Sequence, residues 1–188
     1  MSIRMDLKLA TEDRHEAVDR AFSGFALATR SGYEAFLLAH AAALFPLEER
    51  LEALGIANWL TDWPERRRRD ALAADLAQLG LSRPAPLAVP AIDIKGLAGA
   101  AYVLEGSRLG AKFLARHVLA AEDRSLHAAT QYLTHHAELP LWPRFVDKLD
   151  QLPPDSVPDL RTAALQVFDV FADAAQRYRP AVIEPTLA

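Results

Sequence analysis

The chain has 188 residues, no cysteine and a formal net charge of −4. That length suits one domain with a large core, and the missing cysteines exclude disulfides, thiolate zinc sites and cysteine nucleophiles. The mild acidity gives no reason to expect nucleic acid. The N-terminus has no apolar signal-peptide core and no run approaches the roughly 20 apolar residues of a membrane span, so a cytoplasmic protein without membrane contact is expected.

Apolar residues recur at helical spacing nearly everywhere, and no strand pattern emerges. A first helix is predicted near 5–24. Ser31 with Glu34 forms a capping box for a second helix to about Leu54, with Gly55 as its stop signal. Asp62 and Glu65 open a third, ending at Gly80. The run Arg66-Arg67-Arg68-Arg69, flanked by Glu65 and Asp70, reads as a solvated face of that helix. A proline-punctuated connection, LSRPAPLAVPAID, leads to a helix from about Lys95 to Leu119. Further helices are predicted over 123–134, over LWPRFVDKLDQL up to Pro153-Pro154, and from Asp155 or Ser156 to Tyr178. The fold class is therefore all-α, a single domain over 1–180 with a loose tail at 181–188.

Two of these helices carry unusual residues. Gly96, Gly99, Gly106 and Gly110, four of the eight glycines, lie in or beside the 95–119 helix. Each costs roughly 1 kcal/mol against alanine in a helix interior. At about 100° per residue, Gly99, Gly106 and Gly110 share one side, with Tyr102, Val103, Phe113 and His117. Such bare backbone suits either close helix packing or a flat ligand pressed against it. On the first helix, Leu7, Thr11, Val18, Phe22 and Phe25 form an apolar arc, and His15 sits at its edge. Lys8 and Asp19 flank that edge. His15 is then either a half-buried histidine paired with Asp19 or a metal ligand, with Asp19 as acceptor for its second nitrogen and Lys8 facing an anionic edge of the ligand. The remaining histidines, His40, His127, His135 and His136, read as surface or satisfied core residues, and His117 as structural.

The segments LKLATEDRHEAVD and YVLEGSRLGAKFL together resemble the heme oxygenase family, in particular its bacterial biliverdin-producing branch. The resemblance extends over most of the chain, through YEAFLLAHAAALFPLEERL, DWPERRRRDALAADLAQLG and PLWPRFVDKLD. It implies a helical bundle with heme, as cofactor and substrate, between a proximal first helix and a kinked distal helix. His15 matches the iron ligand, and Lys8 and Tyr102 match groups that meet the heme propionates. Gly106 and Gly110 match the glycines that let the distal helix bend, and Ser107 the bacterial serine between them. Thr11, Asp19, Val103 and Phe113 would line the ligand, and Arg144 and Arg177, on the last two helices, are weaker candidates for the propionates. Mammalian members carry a carboxylate near the position of Ser107, so their distal hydrogen-bond network does not transfer.

The implied reaction cleaves heme with O2 to biliverdin, carbon monoxide and iron. Gly106 carbonyl and Ser107 hydroxyl are the candidates to hold a distal water. Electrons would come from an external ferredoxin or reductase, because the chain shows no flavin or nucleotide motif, and a phytochrome is a conceivable acceptor of biliverdin. The alternative is a non-catalytic heme-binding or heme-sensing protein using the same His15. A di-iron bundle would need a second motif like Glu12-x-x-His15, which is absent, and a thiaminase-like relative would need a cysteine.

Overall fold

The computed structural model describes residues 2–180, and all regular structure among them is helical. The expected tail at 181–188 lies outside the described residues. The elements in chain order are α1 (Ile3–Ser23), α2 (Arg30–Ala53), α3 (Ile56–Trp59), α4 (Trp63–Arg66), α5 (Arg69–Gln78), α6 (Leu97–Gly106), α7 (Arg108–Leu119), α8 (Gln131–Thr134), α9 (Leu141–Leu149) and α10 (Val157–Arg177), with 3-10 turns at Arg124–Ala128 and Pro154–Ser156.

The largely apolar α2 supplies much of the core, with Tyr33, Leu37, Leu44, Leu47 and Leu51 fully buried. Asp6 pairs with Arg161 and Arg14 with Asp169, so α1 and α10 run side by side in the same direction. α10 packs α1, α6 and α2 around itself, burying Leu160, Ala164, Val167 and Ala174 among them. Such packing, rather than local propensity, stabilises helices of this kind.

Several local details depart from the sequence pattern. Thr29, not Ser31, caps α2: its hydroxyl accepts from Gly32 N–H at 3.2 Å. The helix starts early because Gly32 tucks against the Ala26 backbone, where any Cβ would overlap the Ala26 carbonyl. Gly55 ends the same helix as expected, in the left-handed conformation at φ 79°. The helix predicted from Asp62 to Gly80 is two helices, α4 and α5, separated by an extended Arg67. The predicted 123–134 helix is a 3-10 turn followed by the four residues of α8.

The four arginines are not a solvated face. Arg66 is 1% exposed and Arg68 is 3% exposed, while Arg67 and Arg69 reach Glu52 nearer the surface. Arg66 donates to both Asp62 oxygens at 2.6 and 2.8 Å, to Glu105 Oε2 at 2.6 Å and to the Leu141 carbonyl at 3.0 Å. Arg108 donates to Glu105 Oε1 at 3.2 Å and to the Arg66 carbonyl. A buried guanidinium must be paired this completely because stranding its charge costs several kcal/mol.

Candidate functional site

The helix predicted over 95–119 is interrupted. α6 stops at Gly106 and α7 begins at Arg108. Ser107 N–H still reaches Val103 O at 3.1 Å, but Arg108, Leu109 and Gly110 make no backbone bond back to α6. The Leu104 carbonyl, the normal acceptor for Arg108 N–H, instead receives Ser107 Oγ and Arg68 Nη2, both at 2.8 Å. Side chains that insert into the i→i−4 ladder break helices in this way.

The glycines divide accordingly. Gly96 and Gly99 are packing residues: a Cβ on Gly99 would overlap the Leu160 carbonyl, and one on Gly96 would crowd Ala163. The expectation of one continuous bare side therefore fails for Gly99, which is covered by α10. Gly106 and Gly110 are different. A Cβ on Gly106 meets only the Trp142 ring edge, at 3.6 Å, and one on Gly110 meets nothing within 4 Å. Close packing explains the first pair and leaves the second unexplained.

The first helix approaches this corner through Thr11. The Tyr102 phenol lies against the Thr11 hydroxyl; burial raises its pKa, while Thr11 and the Arg4 charge act in the opposite sense. Thr11 is buried, and its hydroxyl donates to Leu7 O at 2.7 Å. His15 lies one turn beyond Thr11, and Gly106 one turn beyond Tyr102. α1 ends with Phe22 against Phe36 and His40 of α2, and beyond α7 Asp123 accepts from Arg30 of α2, so both run toward the N-terminal half of α2. At the far end, the His40 ring packs against Phe22 of α1, Phe36 of α2, Tyr132 of α8 and Phe171 of α10. His40 Nδ1 pairs with Tyr132 Oη at 2.8 Å. Burial, reinforced by the Arg68 charge, pushes the His40 pKa down to about 3, so its ring is neutral at physiological pH.

The His15 side chain is 62% exposed. Its ring is 5.7 Å from Phe168, and its Nε2 is 3.7 Å from Asp19 Oδ2, too long for a hydrogen bond. Both ring nitrogens are thus free of strong partners. Exposed Phe113, edge-on to His117 at 4.6 Å, adds apolar surface on the glycine side, whereas Val103 is buried in the core. Lys8 is exposed. Arg144 and Arg177 are not brought to this place: the charge of Arg144 acts on Asp62, behind the corner, and Arg177 stacks on Tyr178, about 13 Å past Phe168 along α10.

Ser107 Oγ donates to Leu104 O and accepts from Arg68 Nη2 at 2.7 Å, which leaves it one lone pair and no proton to give. Arg4, Phe168, Trp142 and Arg68 are site neighbours that no motif marked. Phe168 was visible only as one apolar position among many in α10, and Arg68 was hidden within the basic run.

Two features stand out in this helical protein: an exposed imidazole without strong partners on α1, and backbone at Gly110 that no side chain covers. Among the described residues no group of three or more His, Cys, Asp or Glu could hold a metal by itself, which removes the di-iron alternative. A lone histidine fits a metal that brings its own equatorial ligands, as heme does, and the space a Cβ would take at Gly110 fits a macrocycle lying close to the backbone.

Comparison with known proteins bears on the family and the fold. A heme oxygenase from Xanthomonas campestris pv. campestris (strain 8004) is 32% identical over 124 residues, spanning 63% of this chain and 72% of that protein. The solved NO- and CO-bound heme oxygenase from Neisseria meningitidis has the same fold, with a TM-score of 0.83 at 22% identity, covering 98% of this chain and all of that one. No model of a known family matches the chain. The chain belongs to the heme oxygenase family.

Proposed function

We propose that this protein is an active heme oxygenase that binds heme between His15 and the α6–α7 corner and converts it, with O2 and electrons from an external ferredoxin or reductase, to biliverdin, carbon monoxide and iron. The observation that carries the proposal is the pairing of a histidine without strong partners with backbone that no side chain covers at Gly110. Bound heme supplies the iron at which O2 is taken up and is itself the molecule oxidised.

The protein's own residues have three tasks. His15 binds iron as a neutral imidazole, with Asp19 near enough to orient it directly or through water. Gly106 and Gly110 keep side chains out of the distal space, so small ligands enter while bulk is excluded. Thr11 and Tyr102 close one end of the slot, where Tyr102, Arg4 and Lys8 offer polar and cationic partners to the anionic propionates. No carboxylate stands at position 107, and the Ser107 proton is committed to Leu104. Proton delivery therefore falls to water, held by the remaining Ser107 lone pair and the Gly106 carbonyl, rather than to a strong side-chain acid.

The test is to titrate the protein with hemin, then add ascorbate under air with catalase present. The expected result is saturable binding with a Soret band, followed by loss of that band as biliverdin absorption grows. A loaded protein whose spectrum survives these conditions is a heme binder without turnover. Failure to bind hemin overturns both readings.

A further inference from the structure

We propose that Arg68 is a positioning residue that holds the break between α6 and α7 open, and so shapes the distal wall of the slot from behind. The proposal rests on the reading of the slot given above, but its geometry stands apart from any ligand. Arg68 is buried and lies where α4 hands over to α5. Its own backbone is clamped, because Glu48 of α2 accepts Arg68 N–H at 2.7 Å and Arg69 N–H at 3.1 Å. From that fixed base its guanidinium crosses to the distal helix. One nitrogen, Nη2, donates to Leu104 O at 2.8 Å and to Ser107 Oγ at 2.7 Å. The same guanidinium lies 5.0 Å from the centre of the Tyr132 ring, whose hydroxyl pairs with His40. A single residue thus ties the helix break to α2, through its backbone, and to α8, through its side chain.

The physical consequence is specific. A carbonyl has two lone pairs. At Leu104 both are taken by side-chain donors, Arg68 and Ser107, so Arg108 N–H has no acceptor there. Remove the guanidinium, and the carbonyl is free to accept Arg108 N–H and continue one straight helix through Gly106 and Gly110. A residue that merely supports the core would have the opposite signature: its loss would loosen the corner.

Amide hydrogen exchange of the ligand-free protein separates the two. Arg68→Met is expected to slow exchange of the Arg108, Leu109 and Gly110 amides at least tenfold, with α1 amides unchanged. Arg68→Lys, which keeps one donor for Leu104 O, should stay within threefold of wild type. Ser107→Ala removes the other donor and should slow the same amides about threefold. Faster or unchanged exchange in Arg68→Met overturns the proposal. Should Arg68→Met fail to fold, Arg68→Gln, too short to reach Leu104 O, decides by the same criterion.

In hemin-loaded protein, Arg68→Met should shift the Fe–C–O vibrations of the carbon monoxide complex, leave the Fe–His15 stretch in place and cut biliverdin output tenfold or more. Wild-type vibrations in that variant would likewise overturn the proposal. Failure of the wild type to bind hemin would sink the functional reading and leave the exchange experiment decisive for Arg68.

Discussion

The two walls of the proposed slot are held in opposite ways. α1 is an uninterrupted helix, capped by Ser2, and presents His15 on its surface with Asp19 at 3.7 Å and the Phe168 ring at 5.7 Å. The α6–α7 corner is interrupted, and behind it Arg66, Arg68, Arg108, Asp62 and Glu105 form a buried polar network. A regular helix satisfies its own backbone groups and needs no support to project one side chain. A broken helix frees carbonyls and N–H groups, and these must find other partners. The difference teaches that a side chain can project from a regular helix without support, while the shape of a broken helix is maintained by residues buried behind it.

The largest effect that would break this comparison is at His15. His15→Ala should reduce turnover more than a hundredfold and abolish the six-coordinate ferric spectrum, while urea midpoints of the ligand-free protein stay close to wild type, as expected of an exposed position. Imidazole added to the variant should restore part of the spectrum. A wild-type spectrum would show that another histidine binds the iron.

The converse is expected behind the corner. Glu105→Gln leaves Arg66 and Arg108 short of a buried carboxylate and should lose about 3–5 kcal/mol in urea unfolding. Asp19→Asn, between exposed groups, should fall within about 0.5 kcal/mol of wild type. Equal losses at both positions would remove the contrast.

The glycines sharpen the point further. Gly99→Ala forces α6 away from Leu160 and should cost about 1–3 kcal/mol. Gly110→Ala meets no atom and should stabilise the ligand-free protein by up to about 1 kcal/mol, since alanine is the better helix former. In the proposed slot the same Cβ takes up ligand space, so hemin affinity and turnover should fall. A gain in hemin affinity would place the ligand elsewhere.

The smallest effect concerns pH. Burial, then the Arg108 charge, pushes the His135 pKa down to about 4, and burial lowers His40 to about 3. Below about pH 6.5 the unfolded chain protonates both histidines while the folded one does not, so stability falls as pH drops. Asp75, raised to about 6 by burial, acts in the opposite sense between about pH 6 and its unfolded value near 4, because there the folded form binds the extra proton. The two histidines predict a loss on acidification from pH 7 to 5, opposed by Asp75 and by Glu48, whose pKa burial also raises. His135→Asn should lessen that loss by up to about 1.4 kcal/mol per pH unit, the worth of one proton. An unchanged slope in urea titrations would remove His135 from the account.

Much of the frame was legible in the chain. The periodic apolar positions of α1, α2 and α10, the stop at Gly55 and the anomaly of several glycines in one helix all follow from local rules. His15 stood out because an imidazole at the edge of an apolar arc is chemically conspicuous. The basic run was misleading for a physical reason. Four arginines flanked by acids satisfy a local charge pattern, so nothing nearby shows that Arg66 meets Glu105, 39 residues on, or that Arg68 meets Leu104 and Ser107. The glycines misled in another way, because their shared side on the helix hid two different neighbours.

What the sequence by itself determined is the all-helical class, the long helices α1, α2 and α10 and the absence of thiol chemistry, since helix period, capping and residue chemistry act over a few residues. Only the tertiary structure decided which glycines face another helix and which face open space, and which arginines are buried. It also located the break at Ser107, because that break depends on a guanidinium arriving from a distant part of the chain to occupy the Leu104 carbonyl.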